Sequence, residues 1–263
     1  MTTLQPPRGR HRAPEDPRAA DARAMMRVAL LAVAALLAAE WVVAHVDPVL
    51  GAVAHAVVLV ALLLRWVWLG EQPVLILALI PLARVTALAM TPRHSGLTAY
   101  VVTGLPLLVA VVWAIRNSEI THARLRTPGS WPAVLVAASG LPLGWAAATY
   151  LDLPVLPHAS SLRVIIAGTV IVFLFAGVLE ELLFRGLLQG VLEGPFGGWA
   201  VLLADALFAA MYLPTCDPGA VFWIALLGLF WGWYVRRTGG LRTVAVAHGL
   251  LAAGALVIWP GLT

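Results

Sequence analysis

Apolar runs the length of a membrane span fill most of this chain, and short polar breaks separate them. A spanning helix needs about 20 apolar residues, with a range of roughly 17–25. Nine segments fit: 28–46, 51–69, 73–91, 98–115, 131–150, 163–192, 197–213, 219–235 and 241–259. The breaks carry turn-forming residues, among them Asp47-Pro48, Glu71-Gln72-Pro73, Thr91-Pro92-Arg93, Thr127-Pro128-Gly129, Asp217-Pro218-Gly219 and Thr238-Gly239-Gly240. The pattern predicts an all-α, polytopic transmembrane bundle of about nine spans, eight being the alternative count. Three parts are expected: a disordered basic cytoplasmic tail over 1–24, N-terminal transmembrane helices over 25–155, and a C-terminal transmembrane domain over 160–263.

Composition sharpens this. The chain is 61% hydrophobic and 11% charged, against about 25% charged in soluble domains, so no large soluble domain is expected. The net charge of +4 is made entirely with arginine, as there is no lysine. Arginines lie in alternate breaks. With the N-terminus inside, the tail arginines, Arg65, Arg116, Arg124, Arg126, Arg236, Arg237 and Arg242 all face the cytoplasm, and only Arg93 and Arg163 fall outside. The expected location is therefore a plasma membrane, with the N-terminus cytoplasmic and the bilayer itself as a partner. Acids interleave with the arginines of the tail, so no nucleic-acid partner is expected. A single cysteine, Cys216, excludes an intrachain disulfide. Several tryptophans, such as Trp66, Trp68, Trp131 and Trp259, fall at span ends, where amphipathic rings anchor a helix.

Candidate chemistry lies where the hydropathy pattern is broken. Residues 164–192 are almost wholly apolar, yet they carry Glu180-Glu181-Leu182-Leu183-Phe184-Arg185. Charges at that depth cost several kcal/mol each unless paired or hydrated, and they mark sites. On a helix, Glu181 and Arg185 stack four apart on one face, while Glu180 points roughly 100° away. One carboxylate is thereby pinned and its neighbour is left for other work. Counted along their helices, Tyr212 reaches a comparable depth and His248 is shallower in the same cytoplasmic half, so Glu180, Tyr212 and His248 are expected to converge on a cavity open to the cytoplasm. A carboxylate and a histidine there suit general acid–base chemistry. Asp205, seven residues before Tyr212, is a candidate partner for Arg185 or His248.

Other buried charges read as structural. Glu40 and Arg84 lie at similar depth on the first and third helices and are expected to pair. His45, His55, His94, His122 and His158 lie near helix ends or loops and are given no role. Catalytic zinc takes about three protein ligands, and HExxH, CxxC and a Gly-rich phosphate loop are all missing. No cofactor is expected, with a divalent metal such as zinc left open.

The EExxxR helix, the Phe-bearing helix and the His-bearing helix together resemble the CPBP family of intramembrane endopeptidases. That family includes the type II CAAX prenyl proteases and bacterial bacteriocin-processing proteins. The resemblance covers roughly residues 160–260 and implies a bacterial cell membrane. It implies that Glu180 activates the water and that Glu181 and Arg185 support the site. The family's FxxxH motif falls on Phe208-Ala209-Ala210-Met211-Tyr212, with Tyr212 in place of His. Its HxxxN or HxxxD motif falls on His248-Gly249-Leu250-Leu251-Ala252, with Ala252 in place of the amide or acid. The implied catalytic set is Glu180, Glu181, Arg185, Tyr212 and His248, and the implied substrate is a membrane-associated or lipid-modified peptide or protein. The two replacements keep a second reading open, a catalytically altered peptide-binding, immunity or export protein. A third is a proton-coupled transporter using Glu180 and His248. Oligomeric state is not readable from the chain.

Overall fold

The computed structural model describes residues 17–90, 96–118, 130–151, 153 and 161–262. The breaks around Pro92 and Pro128, the tail up to residue 16, and His94, His122 and His158 lie outside them. Nine helices follow in order among the described residues: α1 Pro17–His45, α2 Pro48–Leu69, α3 Gln72–Met90, α4 Leu97–Arg116, α5 Trp131–Tyr150, α6 Leu162–Phe196, α7 Trp199–Ala210, α8 Pro218–Thr238 and α9 Leu241–Ile258. They form a polytopic all-α bundle. Eight are long and apolar enough to span a membrane. The ninth, α7, has 12 residues, or roughly 18 Å against a hydrocarbon core of ~30 Å. The apolar run over 197–213 is thus a shorter helix followed by a turn. α1 starts at Pro17, so helix already occupies the end of the stretch expected to be tail.

The helix ends follow from the turn residues. Asp47 takes the amides of Val49 and Leu50 on one carboxylate oxygen, and Pro48 follows, where its missing N–H costs nothing. Asp217 and Pro218 repeat the device at α8, with Gly219 and Ala220 as donors. α2 and α8 stop at Gly70 and Gly239, both with positive φ.

α6 is unlike the others. Its 35 residues include π-helical turns at Phe173–Val178 and Leu182–Leu188, on either side of an α-helical turn that holds Glu180 and Glu181. π-turns are rare and concentrate at functional sites, because the widened turn re-aims the side chains around it. α9 carries another, at Gly254–Ile258.

A single apolar core joins the two halves of the chain. Leu36, Leu77, Ile80 and Val111 from the N-terminal helices pack with Leu183, Phe184, Leu187 and Leu207 from the C-terminal ones. The face outside this core is the lipid-side one, with Leu31, Val57, Trp68, Val170 and Phe222 exposed. Where α6 crosses α9, two glycines face each other. A Cβ on Gly177 would run into the Gly249 backbone, next to His248. Small residues let membrane helices approach backbone to backbone, and this crossing holds His248 against the acidic turn. Gly177→Val should lower the stability of the detergent-solubilised protein by about 1–3 kcal/mol, read as a fall in thermal midpoint; an unchanged midpoint would show that the crossing is not tight.

Candidate active site

The carboxylates at the middle of α6 have different fates. Glu181 is wholly buried. Its Oε1 lies 3.2 Å from Nη1 of Arg185 and 2.9 Å from Nδ1 of His248. Arg185 also donates from Nη2 to Oδ1 of Asp205 at 3.1 Å. The expected Glu181–Arg185 pair is therefore present, and of the two partners considered for Asp205 the arginine is the one it meets. Phe208 completes the packing: its ring lies 4.1 Å beneath the Arg185 guanidinium carbon and meets Phe184, Tyr212 and His248 edge-on. Gly228 on α8 makes room for the network, since a Cβ there would collide with Asp205.

Glu180 points elsewhere. It accepts a hydrogen bond from the Tyr212 hydroxyl at 2.8 Å on Oε2. Both residues border a cavity of about 260 Å³ that also takes in His248, Trp231, Cys216 and Ala252. With Nδ1 of His248 committed to Glu181, the ring nitrogen left for this cavity is Nε2. His248 therefore bonds to Glu181 and not to Glu180. Trp231 packs against the imidazole at 4.9 Å between ring centroids, the two planes tilted by 37°. Ala252 presents a methyl group to the same space, where the motif of the resemblance has an amide or acid.

The cavity does not open where the sequence suggested. Its walls beyond Glu180 come from Tyr100 at the start of α4, Leu151 and Leu153 after α5, and Thr215 and Cys216 before α8. All belong to the end of the bundle opposite Arg65, Arg116, Arg236, Arg237 and Arg242. If the arginine-rich end is cytoplasmic, the cavity runs away from the cytoplasm. The helix depths placed Glu180, Tyr212 and His248 in one half of the bundle but carried no information on which end the cavity would face. Trp231 and Phe208 are among its walls.

Two wall residues had no signal in the sequence. Tyr100 sits on a helix outside the motif-bearing segment, and Trp231 is one of 11 tryptophans and lies in no motif. His55, given no role at a helix end, is wholly buried and reaches Oε1 of Glu40 with Nε2 at 3.3 Å. The expected Glu40–Arg84 bridge is present at 2.8 Å. Among the described residues no group of three His, Cys, Asp or Glu side chains is arranged to hold a metal ion. The donors nearest the cavity do not fit a three-ligand zinc centre, because Glu181 is already committed to Arg185 and His248.

At one level of the helical bundle two carboxylates, an arginine and a histidine form a buried network, and Glu180 and His248 border the cavity beside it. Residues 162–254 match a family model, Rce1-like, described as type II CAAX prenyl endopeptidase Rce1-like. The match agrees with the resemblance to the CPBP family and, at family level, supports a likeness of this segment to CAAX-protease-like intramembrane endopeptidases. No curated protein and no solved structure matches the chain.

Cys216, the single cysteine, borders the cavity half-buried and reports on which side it opens. A membrane-impermeant maleimide should label it from the side opposite the arginine-rich end; labelling only from the arginine-rich side would contradict the direction of the cavity. Labelling should accelerate as pH rises. Burial pushes the thiol up from its ordinary value, and the thiolate is the reactive form.

Proposed function

We propose that this protein is an intramembrane endopeptidase in which Glu180 activates a water molecule to hydrolyse a peptide bond in a membrane-associated or lipid-modified substrate. The observation that carries the reading is that Glu180 and the free edge of His248 border one cavity, while Glu181 holds the histidine from behind. The division of labour is that of a base and a positioned partner.

The reaction then runs as follows. A water in the cavity donates one hydrogen bond to Glu180 and one to Nε2 of His248. Glu180 takes a proton as the water oxygen attacks the peptide carbonyl. The Tyr212 hydroxyl, held at Oε2 of Glu180 in the resting site, turns to the developing oxyanion as that carboxylate is neutralised, a role suited to a preorganised donor. Glu180 hands its proton to the leaving nitrogen, the C–N bond breaks, and an acid and an amine leave. Glu181, Arg185 and Asp205 touch no substrate in this scheme. They fix the imidazole and supply a balanced field around it.

Purified protein in detergent, incubated with peptide libraries and read by mass spectrometry, tests this. Glu180→Gln should lower cleavage by roughly 10²–10⁴-fold, the span of general-base contributions, with folding unchanged. Equal cutting by both proteins would sink the assignment. Tyr212→Phe should lower kcat by about 10²–10³-fold, as for loss of one oxyanion donor, with little change in KM.

One observation favours a second reading, a family member that binds peptide without cutting it. The Tyr212 hydroxyl already occupies one oxygen of Glu180, and Ala252 offers no side-chain donor. That reading expects no cleavage by the wild type and unaltered peptide binding by Glu180→Gln.

A further inference from the structure

The Glu180–Tyr212 pair has a cavity on each side. Behind it, between α3, α4, α6 and α7, lies a second space of about 230 Å³. Tyr100, Glu180, Phe208, Tyr212 and Thr215 border both. Each volume alone falls short of the roughly 300–1,000 Å³ usual for ligand pockets, and the two joined fall within it. The 2.8 Å hydrogen bond between Tyr212 and Glu180 is the partition.

The far wall of the second cavity is built by the N-terminal helices, outside the segment that matches the family model. It is apolar apart from Tyr100, Thr103 and one cation, Arg84. The Arg84 side chain is 10% exposed. Its Nε and Nη2 are shut away from solvent, Nη2 facing Glu40, so Nη1 is the nitrogen left for the cavity. Glu40 is itself 1% exposed. Its second oxygen takes His55, so the carboxylate has two partners and does not depend on Arg84 alone. A guanidinium held from behind that offers one nitrogen to an apolar chamber can receive a carboxylate through a charge-assisted hydrogen bond, which is strengthened where water is scarce.

We infer that the second cavity is a subsite for a carboxylate-bearing part of the peptide, received by Arg84 and reached across Glu180 when Tyr212 swings aside. The inference rests on the reading of the site as a peptide site, and it assigns the N-terminal helices a share in recognition. A chain-end carboxylate and an acidic side chain offer the same chemistry.

Binding of labelled five-residue apolar peptides to the detergent-solubilised full chain separates them. Three are used: a free C-terminal acid, its amide, and an amide with one internal Glu. The acid should bind wild type about tenfold or more tighter than its amide, the size expected of one hydrogen bond between charged groups. Arg84→Gln should erase that difference and leave affinity for the amide unchanged. Tight binding of the Glu-containing amide, also lost in Arg84→Gln, would assign the carboxylate to a side chain. Equal binding of acid and amide to wild type overturns the inference, and this comparison requires no variant to fold. Selective binding without cleavage of any peptide would refute the proteolytic reading and leave the subsite standing.

Discussion

A carboxylate sealed inside a helix bundle needs a cation and hydrogen-bond donors held against it. Glu181 finds the cation in Arg185 on its own helix and a hydrogen-bond partner in His248 on α9, and Arg185 is in turn shared with Asp205 on α7. Breaking a buried pair on one side typically costs about 3–5 kcal/mol, because the remaining charge is left without a partner. Three helices are therefore bound to one another at a single depth, and the relative positions of Glu180, Tyr212 and His248 are consequences of that tie. Below it, the side chain of Gln189 donates to the carbonyl of Gly232, which extends the attachment of α6 to α8 with a weaker bond.

Much of this arrangement was legible in the chain. The spans followed from run length, their ends from Asp-Pro and Gly, and the Glu181–Arg185 pair from the four-residue repeat of a helix. The Glu40–Arg84 bridge followed from matching depth. The remainder was hidden for identifiable reasons. Which carboxylate would hold His248 depends on the crossing of α6 and α9, set by Gly177 against Gly249, and no periodicity encodes a crossing. The π-turns shift the phase of α6 around Glu180 and Glu181, so a regular 3.6-residue wheel misplaces its neighbours. The direction of the cavity depended on walls drawn from the start of α4, the end of α5 and the turn before α8, which come together only in three dimensions.

The two halves of the chain are not independent. The Rce1-like segment supplies the candidate chemistry, but α3 and α4 wall the space behind it, and the core runs continuously from Leu36 and Ile80 to Phe184 and Leu207. A site assembled at such a seam can vary what it accepts by changing its N-terminal wall while the acidic turn stays as it is. The use of Tyr212 and Ala252 at two motif positions makes the same point from inside the segment: the charged frame matches the motif of the resemblance and the groups that border the cavity differ.

The shortness of α7 carries a final consequence. The chain leaves helical geometry at Met211 and continues to Asp217 through turns, with Tyr212, Thr215 and Cys216 bordering the cavity. Pro214 has no N–H, and the carbonyl of Tyr212 accepts both Thr215 and Cys216. Non-helical backbone at membrane depth persists only against protein or a water-filled space, since hydrocarbon cannot satisfy its polar groups. This strip lines the cavity, so its polar backbone is kept from hydrocarbon, and it runs from the end of the bundle to the wall beside Glu180.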